Sequence, residues 1–157
     1  MVKYNMPKDI ITTKYGFQTT KSRSMHMGKI SGKNTKPEIT FRKALWVQGV
    51  RYRKNYTKIA GKPDVAIVKY KIAIFIDGTF WHGYNWKEKK GKIRSNREYW
   101  IKKIERNMER DQLINTQLNE MGWLILRFWD FEVKKDLSLC IDKTMTALKE
   151  RKKIQQA

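Results

Sequence analysis

Apolar residues fall along this chain in two rhythms. Unbroken short runs occur at Val65-Ala66-Ile67-Val68, Ile72-Ala73-Ile74-Phe75-Ile76 and Trp123-Leu124-Ile125-Leu126-Arg127-Phe128. Their length and β-branched content predict buried strands. The first two runs are linked by Lys69-Tyr70-Lys71 and read as a hairpin, with Pro63, which lacks an N–H, at the lead-in. A tight turn at Tyr70 and Lys71 sets Lys69 opposite Ile72 and Asp64 opposite Asp77. A long helix separates the third run from the hairpin, which predicts a parallel join. Val50-Arg51-Tyr52-Arg53 alternates and predicts an edge strand.

The second rhythm is helical. Thr35 followed by Glu38 reads as a capping box, Pro37 suits a first turn, and Ile39, Phe41, Ala44, Leu45 and Val47 supply a buried side before Gly49. The longest helix is predicted over 96–121, with Ile101, Ile104, Met108, Leu118 and Met121 as its apolar stripe. Trp100, Lys103, Asn107 and Asp111 form a neighbouring stripe at steps of three and four, unusual for a plain solvent face. A last amphipathic helix is predicted over 136–152, a short helix begins near Lys21, and 84–95 reads as a basic loop. Residues 1–20 show no clear period and are expected to be a flexible basic arm; 21–157 then form one domain.

Composition narrows the partners. The 157 residues carry 35 basic and 15 acidic side chains, a net charge of +20. Polyanions are the expected partners and nucleic acid the foremost, since neutralising phosphates releases counterions. No run approaches a membrane span, no signal-peptide core follows the first lysines, and no basic amphipathic anchor is obvious. A cytoplasmic protein is expected. One cysteine, Cys140, and two histidines, His26 and His82, rule out an internal disulfide and a Cys/His zinc cluster.

The hairpin carries the candidate chemistry. Opposed carboxylates on one face, with Cβ atoms roughly 5 Å apart, are unfavourable unless something positive lies between them. A divalent cation fits, because Mg²⁺ is held by one or two carboxylates plus phosphate oxygens and water. Phe80-Trp81-His82 follows the second acid, and imidazole titrates near neutral pH. The bland alternative is a pair of solvated strand-end acids beside a core histidine.

Several pieces recur together: Arg23-Ser24 with Met27 and Ile30, Thr35-Lys36-Pro37-Glu38, Gly61-Lys62-Pro63-Asp64, Phe80-Trp81-His82-Gly83, Tyr99-Trp100, Lys103-Ile104, Asn107, Arg110-Asp111, and Gly122-Trp123 leading to Trp129. In order and spacing the chain resembles the very short patch repair (Vsr-type) DNA mismatch endonucleases from about Arg23 to Phe131. The resemblance implies a restriction-endonuclease-like α/β fold, a central mixed sheet flanked by helices. It implies Mg²⁺ held by Asp64 and the Ile76 carbonyl, His82 as activator of water, and Glu38 at the edge of the site. Asp77 stands where members carry histidine or an acid, and as an acid it can bind the metal directly. Met27, Phe80, Trp81 and Trp100 match positions that read or wedge the mismatch, and Lys103, Asn107 and Asp111 would meet bases or phosphates. The implied substrate is duplex DNA with a T·G mismatch, with a functional link to a cytosine-5 DNA methyltransferase and a monomeric enzyme. Many members hold a structural zinc. Here Thr79, Tyr84, Trp86 and Phe131 occupy those positions, so no zinc is expected and an aromatic cluster of Tyr84, Trp86 and Phe131 is predicted instead.

Two rival readings stand beside this one: a restriction-type endonuclease without mismatch preference, and a non-catalytic basic DNA-binding protein.

Overall fold

In the computed structural model, residues 9–157 are described. They fall into two units, Met1–Gly32 and Lys33–Ala157. In the first, β1 (Ile10–Thr12) and β2 (Gln18–Thr20) pair antiparallel, and α1 (Lys21–Gly28) follows directly. The Thr20 hydroxyl caps α1 by accepting the Arg23 N–H. The aperiodic stretch read as an arm therefore holds a short hairpin after Asp9. The chain before Asp9 lies outside the described residues. Helix α1 buries no side chain, so Met27 and Ile30 are surface residues of this unit and not core contacts.

The second unit is built on a four-stranded sheet, ordered β3 (Arg53–Lys54), β4 (Val65–Ile67), β5 (Ile72–Asp77), β6 (Leu124–Trp129). The first two pairings are antiparallel and β5–β6 is parallel, as the intervening helix requires. The predicted edge strand survives only as the short β3. Every residue of β4 and β5 is buried, the pattern of a sheet covered on both faces.

One face presents Val65, Ile67, Ile72, Ile74 and Ile76 to a core shared with Phe41, Leu45, Phe128, Val133, Ile141 and Leu148. It is covered by α2 (Lys36–Val47), α5 (Asp130–Lys135) and α6 (Leu137–Gln156), where Cys140 is buried as a small apolar residue. On the other face Ala66, Ala73 and Phe75 pack with Leu118, Trp123 and Ile114 at the end of α4 (Arg97–Glu120). Small alanines and Gly61 let α4 come close. A Cβ on Gly61 would stand 2.6 Å from Ile114, and its φ of +75° already favours glycine.

Three expectations are corrected. The link between β4 and β5 is not a two-residue turn. Val68–Tyr70 forms a 3₁₀ turn and Lys71 adopts a left-handed conformation, so Ile72 pairs with Ile67. That shifts the register by two residues, which preserves the faces, because side chains alternate with a period of two. Next, α2 turns Pro37, Glu38, Phe41, Arg42 and Leu45 inward, leaving Ile39 and Val47 exposed. Finally, part of the expected basic loop is a short helix, α3 (Trp86–Lys92).

Candidate active site

Asp64 closes the lead-in to β4, and its surroundings follow from Pro63. Continuing the β4–β5 register would set Pro63 opposite Ile76. Proline has no N–H to give, and its carbonyl accepts instead from Tyr56 N–H at 3.0 Å. Ile76 thus loses its ladder partners on that side. Its N–H donates to Asp64 Oδ2 at 2.7 Å. The carbonyl of a strand residue lies on the same side as its N–H, so the Ile76 oxygen faces this side too.

The Asp64 main chain is pinned by two donors to its carbonyl, Arg42 Nε and the Asn55 N–H, each at 3.2 Å. Burial pushes the Asp64 carboxyl up to about 6; the charges of Glu38 and Asp77 add to this, and the Ile76 N–H and Arg42 oppose it. Asp64 Oδ1 takes no hydrogen bond among the described residues.

Asp77 ends β5 opposite Trp129 of β6. It is 6% exposed, and both its oxygens accept from Arg127 Nη1, at 3.0 and 2.8 Å. The Arg127 guanidinium also lies 4.2 Å from the Phe75 ring centroid and donates to Asn115 Oδ1. The positive partner that this acid demands is therefore a guanidinium. Asp77, read as a metal ligand, is held here by Arg127, and His82 Nδ1 lies 3.7 Å from Asp77 Oδ1.

His82 sits in the turn after β5, held by its own N–H to Gly78 O at 3.2 Å. Its Nδ1 is 2.6 Å from Asp111 Oδ2 on α4. An ionised carboxylate only accepts, so Nδ1 carries the proton and Nε2 keeps its lone pair. Burial lowers the imidazole, but the Asp111 hydrogen bond and the charges of Asp77 and Asp111 outweigh burial and Arg127; the ring titrates above its ordinary 6.5.

The polar stripe of α4 lines up against this turn. Asp111 Oδ2 meets His82 Nδ1, and Asp111 Oδ1 lies 3.8 Å from Arg127 Nη2. Asn107 donates to the Trp81 carbonyl at 3.0 Å. Both residues, read as DNA contacts, thus also touch the turn that carries His82. Lys103 lies over the rings of Trp81, Tyr99 and Trp100, at 5.4–5.7 Å from their centroids. Phe80, Trp81 and Trp100 stack edge-on, with centroids 5.2–5.7 Å apart, and Phe80 is exposed. They form one surface cluster outside the core. Tyr84 packs against Trp129 and Phe131 at 5.1 and 4.9 Å, whereas the Trp86 indole donates to Glu105. Trp129 thus takes the place predicted for Trp86.

Glu38, read as an acid at the site's edge, is 4% exposed, and its oxygens are fully engaged. They accept from the Asn34 N–H, the Thr35 hydroxyl and Arg42 Nη2. The expected box differs in detail, since the Thr35 side chain donates to Glu38 rather than capping α2. Arg42, which sequence reasoning missed, is the hub: it also reaches Asn34 Oδ1, Asn55 Oδ1 and the Asp64 carbonyl. The signal lay in its place on the buried stripe of α2, between Glu38 and Leu45. Likewise Arg127 stood inside a buried strand run, where a charge demands a partner. Glu38→Ala, which strips a partner from a buried guanidinium, should cost about 3 kcal/mol. A thermal melt should then show a midpoint lower by on the order of 10 °C; an unchanged midpoint would mean that the network is not structural.

Among the described residues, no group of three or more His, Cys, Asp or Glu could hold a metal ion. Magnesium asks for less: one or two protein oxygens, the rest coming from phosphate and water. Asp64 Oδ1, which no described donor occupies, on a carboxyl held above its ordinary range chiefly by burial, and the Ile76 carbonyl fit such an ion.

The description "DNA mismatch endonuclease Vsr" belongs to the family model that matches residues 16–88. The chain is 45% identical to "Type II nicking enzyme V.NmeDIP" of Neisseria meningitidis serogroup C, over 85% of this chain and 90% of that protein. It is 53% identical to "Type II nicking enzyme V.HpaIIP" of Haemophilus parainfluenzae, over 69% and 78%. Against "DNA mismatch endonuclease Vsr" of Escherichia coli the identity is 33%, over 69% of each chain.

Proposed function

Since the chain belongs to the Vsr family of DNA endonucleases, we propose that it nicks one strand of duplex DNA next to a T·G mismatch in a Mg²⁺-dependent hydrolysis. The observation that carries this reading is the hydrogen bond that ties Asp64 Oδ2 to the Ile76 N–H, one residue before Asp77, with His82, paired to Asp111, 3.7 Å from Asp77. Both lie at the carboxyl end of β5, beside the parallel β6, where open α/β sheets form their crevices.

Asp64 and the Ile76 carbonyl would hold the ion. When bound, Mg²⁺ polarises the phosphoryl oxygen and neutralises charge on the leaving oxygen. His82 Nε2 accepts a proton from the attacking water, and Asp111 fixes the tautomer that makes this possible and stabilises the imidazolium that results. Arg127 Nη1, donating to both Asp77 oxygens, holds that carboxylate beside the ring. Phe80, Trp81 and Trp100 are the wedge: inserting rings between base steps costs a few kcal/mol, least where pairing is already weak. Lys103, lying over the same rings, brings a cation to the adjoining phosphates; Met27, exposed on α1, is a DNA contact of its own unit.

T·G pairs arise when 5-methylcytosine deaminates, so this substrate implies a cytosine-5 DNA methyltransferase acting on the same genome. The site is complete in one chain, in keeping with a monomer. No described helix is long and apolar enough to cross a membrane, and a DNA substrate implies action in the cytoplasm. The test is strand scission of T·G and matched duplexes, with Mg²⁺ or with EDTA. Nicking confined to the T·G duplex in Mg²⁺ is expected. Equal nicking of matched DNA would favour the second reading, a restriction-type nickase, which draws on relatives named type II nicking enzymes.

A further inference from the structure

We propose that the groove beside edge strand β3 is a second DNA contact, taking the sugar–phosphate backbone of the duplex that flanks the cut. This rests on the nuclease reading and extends its substrate surface. The groove encloses about 490 Å³ and is lined by Trp46, Tyr52, Arg53, Lys54 and Lys58 among others. From Trp46 to Pro63 there is no acidic residue, while Arg51, Arg53, Lys54, Lys58 and Lys62 are basic. A polyanion is the complementary occupant.

Lysine and arginine on an exposed strand edge have a simpler use, in blocking edge-to-edge pairing. That accounts for Arg53 and Lys54, but not for Trp46, which is 54% exposed. Its ring is not loose. The Arg51 guanidinium lies 4.0 Å over its face, and Tyr52 meets it edge-on at 6.3 Å. Stacking on a ring holds a guanidinium flat while leaving its N–H fork directed outward, the geometry that matches phosphate oxygens. Tyr52 is tethered in turn by its hydroxyl to the Arg42 carbonyl at 2.9 Å. The lining is thus braced before any ligand arrives.

Position supplies the occupant. Lys54 pairs with Val65, and the next residue, Asn55, donates its N–H to the Asp64 carbonyl. Asn55, which lines the groove, thus bonds the Asp64 main chain, and the proposed path takes a strand with its scissile phosphate at Asp64 onto this surface.

The test is equilibrium binding of a labelled T·G duplex in EDTA to the full chain and to the Arg53→Ala/Lys54→Ala/Lys58→Ala variant. Each phosphate contact contributes about 0.9 to the slope of log affinity against log salt. The variant should lose two to three from that slope and bind a long duplex at least tenfold more weakly. Shortening the duplex on one side of the cut should erase the difference between the two proteins; shortening it on the other should not. Lys58→Glu, a single exposed change, should reproduce the length-dependent loss if the triple variant folds poorly by circular dichroism. Unchanged slope and affinity would overturn the proposal. So would a deficit that persists on both shortened duplexes, or one relieved only by an acidic peptide bound along β3. A wild-type chain that shows the length effect yet never nicks in Mg²⁺ would instead overturn the nuclease reading and leave the groove standing.

Discussion

Asp64→Ala is expected to lower single-turnover nicking by at least about 10³-fold, the several kcal/mol that charge stabilisation at the phosphoryl oxygens supplies. Duplex affinity in EDTA should hold or rise, because a carboxylate is being removed from beside an incoming phosphate. A variant that still nicks at the parent rate would remove Asp64 from the chemistry. The carboxyl also leaves a signature without DNA. Its folded pKa, about 6, lies above the ordinary 3.8, so the folded chain holds this proton more tightly than the unfolded chain does. The contribution to stability is fully present below pH about 4 and is lost as pH rises through about 6. Metal-free Asp64→Asn should therefore be more stable than the parent above pH 6, by up to about 3 kcal/mol, with the difference vanishing below pH 4. Thermal melts across that range read it directly.

His82→Ala should cost 10²- to 10⁴-fold in the nicking rate, the usual worth of a positioned general base. The pH profile is the sharper measurement. A base must be neutral to accept a proton, so nicking should rise with pH through an apparent pKa above 6.5. Asp111→Asn removes the Asp111 hydrogen bond and charge and leaves that of Asp77, so the limb should move to lower pH while the plateau falls about 10²-fold or more, because the tautomer is no longer fixed. A limb that stays in place would separate Asp111 from His82. By linkage, the raised imidazole stabilises the fold below pH 6.5, and this is lost as pH rises past its folded value.

The elements were legible because they repeat: three apolar runs, a helical stripe within a helix of 24 residues and a capping pattern each signal locally. Faces were legible where parity protected them. A shift of two residues in the β4–β5 register still leaves Asp64 and Asp77 on one side. What could not be read was which charge answers which. Arg127 lies 50 residues from Asp77, whose carboxylate it meets, and Arg42 lies 22 residues from Asp64, whose main-chain carbonyl it meets. No local period encodes such pairs. For the same reason the bonds of Asn107 and Asp111 to the turn, 26 and 29 residues away, carried no local signal. Inward rotation of α2 escaped notice because Glu38 and Arg42 satisfy one another, and so can sit where apolar residues were sought.

Pro63 has no functional group, yet the oxygen pair offered by residues 64 and 76 exists because of it. Any other amino acid there would bring a hydrogen to the vacant rung of the sheet and compete for the Ile76 oxygen. The chelating notch is thus made by subtraction. Its sensitivity to change extends to a buried position that no survey of acids, bases and nucleophiles would select.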